Sequence, residues 1–179
     1  MISICGGDRY KSAIVFEGLV RTLDIPSTGW CMQLGTHSGY TLQLMKQHFG
    51  SSRTLGIDLY NPTNDPNIIT QDITKIKTRF PLAYAENDIG IMYEAPQDRL
   101  AAMKWAISRL VPEGVLITTS NVANSAFGES VESICEAHMC TWTRLDEYDD
   151  QPWAKYLNTE TPWNTISMML VRKTTVERL

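Results

Sequence analysis

The residues best suited to chemistry lie in one glycine-flanked turn and at one acid that follows it. Residues 33–40 read Gln-Leu-Gly-Thr-His-Ser-Gly-Tyr. Gly35 permits a tight turn, and Gly39 permits close helix packing and an accessible helix N-terminus. Asp58 follows 23 residues after Gly35. At the end of a strand, its carboxylate could accept two hydrogen bonds from a ribose diol.

Two further acids follow later apolar runs. Asp72 comes just after residues 67–70, and Glu94 just after residues 88–93. Each acid also has an ordinary structural interpretation; Asp72, for example, could cap a helix that begins at residue 74. Because all the candidate positions follow predicted strands, the ordered set indicates a binding site more strongly than any single member does.

The elements that must position these residues are short apolar strands alternating with helices. Strands are predicted at 30–35, 54–59, 67–70, 88–93, 115–119, 141–147 and 165–172, and helices at 9–23, 39–49, 74–79, 97–110 and 124–138. This alternation predicts an α/β fold with a mostly parallel seven-stranded sheet, an antiparallel last strand and helices on both faces. Ligands bind such sheets beyond the carboxyl ends of the strands, where the candidate residues lie.

Composition and charge narrow the class of protein. The chain has 179 residues, of which 43% are hydrophobic, and a net charge of −4. One domain fits this length. Nucleic acid is disfavoured as a partner, because phosphate neutralisation needs clustered Lys and Arg. No apolar run is long enough to span a bilayer, and the first residues lack a signal-peptide pattern, so a cytoplasmic protein without a membrane partner is expected.

The four cysteines predict reduced thiols rather than a disulfide framework. Cys135, His138 and Cys140 are close enough in sequence to suggest metal ligands. Their spacing matches no zinc pattern, and no second ligand pair accompanies them. A helix end with two small apolar side chains and an exposed histidine is the favoured interpretation.

At the predicted strand ends the sequence resembles a known family. The segments CMQLGTHSGYTLQLM, LGIDLYNP, TQDIT, IGIMYEAP and PEGVLITTS are similar to successive motifs of the class I S-adenosylmethionine-dependent methyltransferases, over roughly residues 30–120. The helix followed by PEGVLI is most similar to the small-molecule O-methyltransferase branches. The resemblance implies one Rossmann-like methyltransferase domain over residues 1–179, with a cofactor half at about 30–95 and a substrate half at about 96–179.

The resemblance also implies S-adenosylmethionine as the cofactor, and it indicates which residues would contact each part of the cofactor. The turn Gly35, Thr36, His37, Ser38 and Gly39 would line the methionine and the ribose, Asp58 would bind the ribose hydroxyls, Asp72 and Ile73 would flank the adenine, and Glu94 would face the reacting group and the substrate.

Two positions depart from the family pattern. The family usually has an acid at position 33, which receives the amino group of the cofactor, and a glycine at position 37; here they are Gln33 and His37. These departures leave open a non-catalytic binding or assembly protein of the same fold with a degenerate cofactor pocket.

Methyl transfer to a hydroxyl group would need a base or a metal ion. Glu94 and His37 are the candidate catalytic bases. Metal-dependent members of the family hold a divalent ion with a carboxylate after the fourth strand and an Asp-Asn pair after the fifth. This chain offers Glu94 and Asn121, with Ser120 in place of the second acid, so no metal site is predicted and a divalent ion is a minor alternative.

The loop at 148–164 carries aromatic side chains that could contact a substrate. The candidates are Tyr148, Trp153, Tyr156 and Trp163. Aromatic rings above a pocket can stack on a flat substrate and exclude water. The same rings could instead fold the loop back onto the sheet, and the sequence favours neither alternative.

The predicted function is therefore S-adenosylmethionine-dependent methyl transfer to a small-molecule or nucleotide-like acceptor, at oxygen. A nicotinamide-nucleotide enzyme on a related sheet is disfavoured, because the turn reads Gly-x-x-x-Gly rather than Gly-x-Gly-x-x-Gly. A chain this short for the fold also leaves open a homo-oligomer that completes the pocket.

Overall fold

Strands and helices alternate along the chain in a computed structural model, which describes residues 9–87, 96–121, 133–157 and 166–175. In chain order the elements are α1 (Arg9–Thr22), β1 (Trp30–Leu34), α2 (Tyr40–Phe49), β2 (Thr54–Asp58), β3 (Ile68–Thr70), β4 (Leu82–Asn87), α3 (Pro96–Ile107), β5 (Leu110–Asn121), β6 (Cys140–Arg144) and β7 (Ile166–Lys173). Residues 133–137 are also helical. Within the described ranges, no helix has the length and apolar character needed to cross a membrane.

The seven strands form one sheet in the order β3-β2-β1-β4-β5-β7-β6. The pairs from β3 to β5 are parallel, and β7 runs antiparallel to both β5 and β6. The predicted mixed sheet with an antiparallel last strand is confirmed. Because the chain leaves β1 towards β2 and leaves β4 towards β5, a crevice opens at the carboxyl ends of β1 and β4.

Hydrophobic cores lie on both faces of the sheet. Successive strand residues point to opposite faces, so in β1 Cys31 packs under α1 and α2 while Met32 packs under α3. The α1 side buries Val15, Phe16, Leu19, Met45 and Tyr84, and the α3 side buries Leu34, Leu82, Met103, Ala106 and Ile134. Helices therefore cover both faces, as predicted.

The structure describes a fourth strand that begins earlier in the chain than the sequence predicts. The prediction was 88–93, but the strand that joins β1 to β5 is Leu82–Asn87, and residues 88–93 lie outside the described part of the chain. Burial accounts for the position of this strand within the sheet, because residues 82–86 are all buried. The residues 82–87 lack β-branched side chains, whereas 88–93 contain two Ile, and β-propensity therefore did not mark the segment 82–87.

The boundaries of other helices and strands differ by fewer residues from the predicted ones. Strand β5 begins at Leu110 rather than 115, and α3 ends at Ile107 rather than 110. The weak helix predicted at 74–79 is a single 3-10 turn, Ile73–Lys75. The predicted helix at 124–138 is described only from residue 133 onwards.

Candidate active site

The turn between β1 and α2 uses backbone conformations that favour glycine. Gly35 has φ 84°, His37 has φ 46° and Gly39 has φ 73°. The Gly35 N–H donates to the Ile57 carbonyl at 2.7 Å, and the Gly39 N–H donates to the Thr36 carbonyl at 2.7 Å. Gly39 is the N-cap of α2 and supplies no side-chain cap. The first N–H groups of α2 are thus left to other acceptors, an arrangement that suits a polar ligand group.

Asp58 at the end of β2 is bound directly to this turn. Its Oδ2 accepts the backbone N–H of His37 at 2.7 Å and the hydroxyl of Thr36 at 3.3 Å. Its Oδ1 accepts the backbone N–H of Tyr60 at 3.1 Å. The turn and the acid, which the sequence suggested would share a site, lie in contact at the carboxyl edge of the sheet.

A glycine that the sequence analysis did not single out makes this contact sterically possible. A Cβ at Gly56 in β2 would lie 2.3 Å from Cγ2 of Thr36. Thr36 is buried. An alanine at position 56 would therefore push the turn away from β2. A glycine inside a short strand is the sequence signal that could have identified this approach.

Asp65 holds the loop after Asp58 against α2. Its two carboxylate oxygens each lie 2.6 Å from Nζ of Lys46, and Oδ2 also accepts a hydrogen bond from Gln43 at 3.0 Å. The Asn67 N–H donates to Oδ1 at 2.9 Å. Burial alone would raise the pKa of Asp65, but these hydrogen bonds and the charge of Lys46 hold it below its ordinary value. The loop that contains the exposed side chains of Leu59 and Tyr60 is fixed in this way.

Asp72 lies at the same edge of the sheet, and its side chain caps the turn that follows. Oδ1 of Asp72 accepts the backbone N–H of Thr74 at 2.9 Å and its hydroxyl at 2.8 Å. The Gln71 N–H donates to the Asp58 carbonyl at 2.8 Å, so the two acids follow adjacent strands. Ile73 is buried in the core beside α3, which leaves its backbone rather than its side chain to meet any ligand.

Buried polar groups lie side by side at the ends of β1 and β4. Gln33 is 7% exposed, and its Oε1 accepts no hydrogen bond. The parallel register pairs Gln33 with Glu86, which is 2% exposed. The hydroxyl of Tyr84 donates to Oε2 of Glu86 at 3.1 Å. Burial and the neighbouring Glu86 raise the pKa of the Tyr84 hydroxyl well above its ordinary value, so it remains a neutral donor.

Sequence reasoning missed Glu86 because it began the fourth strand at residue 88, after this acid. The available signal was an acid directly after a short apolar run, residues 82–85. Buried carboxylates are rare unless they have a partner or a functional role, which makes such an acid a candidate site residue.

Several predicted site residues fall outside the described chain or outside a common cluster. Glu94 and Trp163 lie outside the described residues. Asn121 ends β5. The Sγ of Cys140 donates a hydrogen bond to the His138 carbonyl at 3.5 Å. Among the described residues, no group of three or more His, Cys, Asp or Glu side chains could hold a metal ion.

The segment after β6 folds back onto α1. Trp153 is 4% exposed, and its indole N–H donates to the hydroxyl of Thr22 at 3.3 Å. A Cβ at Gly18 would lie 2.2 Å from Cδ1 of the Trp153 ring. The Tyr148 ring lies 6.0 Å from the Trp153 ring, and Tyr156 packs beside the same core. The prediction of a substrate-stacking ring at Trp153 is therefore corrected: this ring fills the α1 core.

Comparison of the amino-acid sequence with known families and curated proteins identifies no related protein. No protein-family model matches the chain, and the curated proteins contain no match to it.

Structure comparison gives similar folds over nearly the whole chain. The plantazolicin methyltransferase BpumL, in complex with a monoazolic desmethylPZN analogue and S-adenosylhomocysteine (SAH), has a TM-score of 0.62 at 11% identity, covering 93% of this chain and 84% of that one. The N-methyltransferase NodS from Bradyrhizobium japonicum, also with SAH, has a TM-score of 0.55 at 15% identity, with coverage of 90% and 86%. The O-methyltransferase domain of StiE has a TM-score of 0.55 at 14% identity, with coverage of 93% and 74%.

These similarities agree with the strand order of the sheet. The sheet order β3-β2-β1-β4-β5-β7-β6, the antiparallel β7 and the glycine-flanked turn after β1 occur together in this chain. The chain therefore has the fold of the class I S-adenosylmethionine-dependent methyltransferases.

Proposed function

We propose that this protein is an S-adenosylmethionine-dependent methyltransferase that acts on a small-molecule or nucleotide-like acceptor, with oxygen as the acceptor atom. The observation that carries the proposal is the contact between Asp58 and the turn after β1, at 2.7 Å from the His37 N–H to Oδ2. This contact lies at the crevice where sheets of this kind bind nucleotides. Solved structures with the same fold, BpumL and NodS, contain SAH, which supports the choice of cofactor.

The acceptor atoms of Asp58 fit a ribose. A carboxylate has about four positions that can accept a hydrogen bond. Protein donors occupy three of them: the N–H groups of His37 and Tyr60 and the hydroxyl of Thr36. One position remains for a ribose hydroxyl. The bond from Thr36, the longest of the three at 3.3 Å, is the one that a second ribose hydroxyl would replace.

The buried amide oxygen of Gln33 fits the amino-acid part of the cofactor. This oxygen accepts no hydrogen bond in the protein. A buried acceptor without a donor destabilises the folded state by about 1–3 kcal/mol. A ligand that brings an N–H donor to the end of β1 would remove that cost. The residues of the crevice are therefore compatible with S-adenosylmethionine.

The chemical contribution of this chain is mainly positioning. When bound, S-adenosylmethionine supplies an electrophilic methyl group on a positively charged sulfur. Asp58 and the turn would fix the ribose, and a fixed geometry can lower the barrier of an in-line displacement by several kcal/mol. The exposed imidazole of His37, on the same turn, is our candidate for removing the proton of an acceptor hydroxyl. Glu94 is the second candidate base.

Calorimetry tests the cofactor assignment. We expect S-adenosylmethionine and SAH to bind and NAD to give no heat. If neither methionine derivative binds, the proposed function is wrong.

A methyl-transfer assay tests the reaction. We would incubate the protein with S-adenosylmethionine carrying a labelled methyl group and a panel of phenols, catechols and nucleosides. Labelled product that falls with His37→Ala or Glu94→Gln, while SAH affinity is unchanged, identifies the base. Tight SAH binding without transfer to any acceptor would favour the alternative drawn from the sequence, a non-catalytic binding protein of the same fold.

A further inference from the structure

We propose that a basic surface beside α3, made of Lys75, Lys77, Arg79 and Lys104, binds the phosphate backbone of a single nucleic-acid strand without regard to its base sequence. This inference goes beyond the proposed function and is independent of it. The net charge of −4 disfavours nucleic acid as a partner when the chain is taken as a whole. Binding of a phosphate chain depends instead on where the cations lie, and the fold gathers them in one place.

Two segments of the chain supply these cations, and neither contains an acid. Residues 73–81 read Ile-Thr-Lys-Ile-Lys-Thr-Arg-Phe-Pro, and residues 100–112 include Lys104 and Arg109. Together the two segments hold five of the 16 Lys and Arg residues of the chain and none of its 20 Asp and Glu residues. The positive charge is therefore concentrated locally in a chain that is acidic as a whole.

The fold places the two segments side by side. The indole N–H of Trp105 donates to the Ile76 carbonyl at 2.9 Å, and Nη2 of Arg109 donates to the same oxygen at 3.4 Å. Ile76 and Trp105 are buried in the same core. Burial and the positive charge of Arg79 lower the pKa of Arg109 below its ordinary value, so the two guanidinium groups are close enough to repel each other.

The charge of the basic surface is not compensated within the described part of the chain. Its four side chains are exposed there, and none of them takes part in an ion pair. The adjoining Arg109 donates only to neutral acceptors, namely the carbonyls of Trp105 and Ile76 and the Ser108 hydroxyl. Like charges held together without counter-charges attract an anion.

The spacing of the cations suits a chain of phosphates. Lys75 and Lys77 flank Ile76, which is 5% exposed and has an extended backbone conformation, with φ −75° and ψ 110°. Alternate residues of an extended segment project to the same side, about 6.6 Å apart. Arg79 continues the alternation in the sequence. This step is comparable to the step between successive phosphates of an extended nucleic-acid strand.

An anionic membrane fits the basic surface less well. Proteins that lie on membranes usually combine cations with apolar side chains that insert among the lipids. Beside the basic surface, Ile73, Ile76 and Trp105 are buried. The large exposed apolar side chains of the described residues belong to other segments: Tyr10, Leu59, Tyr60, Met139 and Trp142. The basic surface thus presents charge without an apolar anchor.

The salt dependence of binding to a fluorescent oligouridylate tests the proposal. Each phosphate of a single strand that is neutralised contributes about −0.7 to the slope of log affinity against log salt, so four cations should give a slope of about −3. The triple variant Lys77→Gln, Arg79→Gln and Lys104→Gln leaves one cation. Its slope should fall to about −1, and its affinity at low salt should fall at least about tenfold. An oligoadenylate should bind within about threefold of the oligouridylate, because phosphates carry no base sequence.

A control variant separates the local cluster from the net charge. Lys11→Gln, Arg21→Gln and Lys155→Gln remove the same three positive charges from exposed positions on the α1 side. Because salt screens distant charges, this variant should bind the oligouridylate within about threefold of the unchanged protein. An equal loss in the two triple variants would overturn the proposal. So would the absence of oligouridylate binding at low salt, a strong preference for one base, or binding only to phosphatidylcholine vesicles that contain phosphatidylserine.

The outcome is distinguishable from failure of the proposed function. The triple variant of the basic surface should retain the SAH affinity of the unchanged protein, and a thermal melt shows that it is folded. If the unchanged protein binds the oligouridylate but not SAH, the proposed function is wrong and the basic surface stands. If it binds SAH but not the oligouridylate, the reverse holds. The salt slope of the unchanged protein tests the proposal even if the triple variant does not fold.

Discussion

The backbone N–H of His37 donates to Oδ2 of Asp58 at 2.7 Å, and this bond joins the turn after β1 to the end of β2. The donor is backbone, so the bond does not depend on the imidazole ring. The acceptor is a side chain, so the bond does depend on the carboxylate. The two residues are therefore expected to respond very differently to substitution.

Asp58→Ala should weaken SAH binding by at least about tenfold. It removes the ribose acceptor and leaves the donors at His37 and Tyr60 without their partner, and each lost bond to a charged acceptor is worth roughly 1.5–3 kcal/mol. Calorimetry gives the affinity, and a thermal melt shows whether the fold persists. Asp58→Asn is the matched control and should retain part of the affinity, because the amide oxygen can still accept one set of bonds. Undiminished SAH binding by Asp58→Ala would remove Asp58 from the site.

His37→Gly should stabilise the protein while leaving SAH binding intact. His37 has φ 46°, a left-handed conformation that costs a non-glycine residue about 1–2 kcal/mol, whereas glycine adds about 0.5–1 kcal/mol of backbone entropy to the unfolded chain. The expected net gain in the free energy of unfolding is about 0.5–1 kcal/mol, measured by denaturant titration. His37→Ala keeps the strain and should show no gain. A loss of stability in His37→Gly would mean that the imidazole makes a stabilising contact.

The sequence could predict those parts of the site that depend only on residues close together in the chain. Gly35 and Gly39 mark a turn because their backbone conformations suit glycine, and both have positive φ in the structure. Asp58 follows a short apolar run, and it is at the end of β2. Glycine and strand-end signals of this kind depend on a few neighbouring residues, which is why they can be read without a structure.

The sequence could not predict contacts between distant segments. The place of β4 depends on pairing with β1 and β5 rather than on its own propensity, and so Glu86 was missed. The role of Trp153 depends on Thr22, 131 residues earlier in the chain. No local pattern separates an aromatic ring that faces a substrate from one that fills a core, because both are flanked by loop residues.

Asp65→Asn should lower stability at neutral pH, by about 1.5–3 kcal/mol, because it weakens the bonds from Lys46 and Gln43 and leaves a half-buried ammonium group without its counter-charge. The pKa of Asp65 in the folded protein is below its ordinary value of 3.8. Its contribution to stability is therefore fully present above the pKa of the unfolded chain and is lost as the pH falls through the folded pKa.

The ion pair between Asp65 and Lys46 is tested by measuring the free energy of unfolding as a function of pH. The difference in unfolding free energy between the unchanged protein and Asp65→Asn should be constant from pH 7 to pH 5 and should shrink below about pH 4. Asp24→Asn, at an exposed acid after α1, is the control and should change stability by less than about 0.5 kcal/mol. A difference that stays constant down to pH 3 would contradict the ion pair with Lys46.

The effect of Gly18→Ala on stability depends on whether the Trp153 ring packs against α1. Within a helix, replacing glycine by alanine normally stabilises by about 0.5–1 kcal/mol. Here the new Cβ would lie 2.2 Å from the Trp153 ring, and this ring is buried and bonded to Thr22, so it cannot move aside cheaply. Overpacking of this kind costs about 1–3 kcal/mol, and Gly18→Ala should therefore destabilise the protein.

The sign should reverse when the ring is absent. In a Trp153→Ala background the clash is gone, and Gly18→Ala should then stabilise by about 0.5–1 kcal/mol, as alanine does elsewhere in helices. A double-mutant cycle by denaturant unfolding measures this change of sign. If Gly18→Ala stabilises the protein in both backgrounds, Trp153 does not pack on α1, and the loop after β6 is again free to present that ring to a substrate.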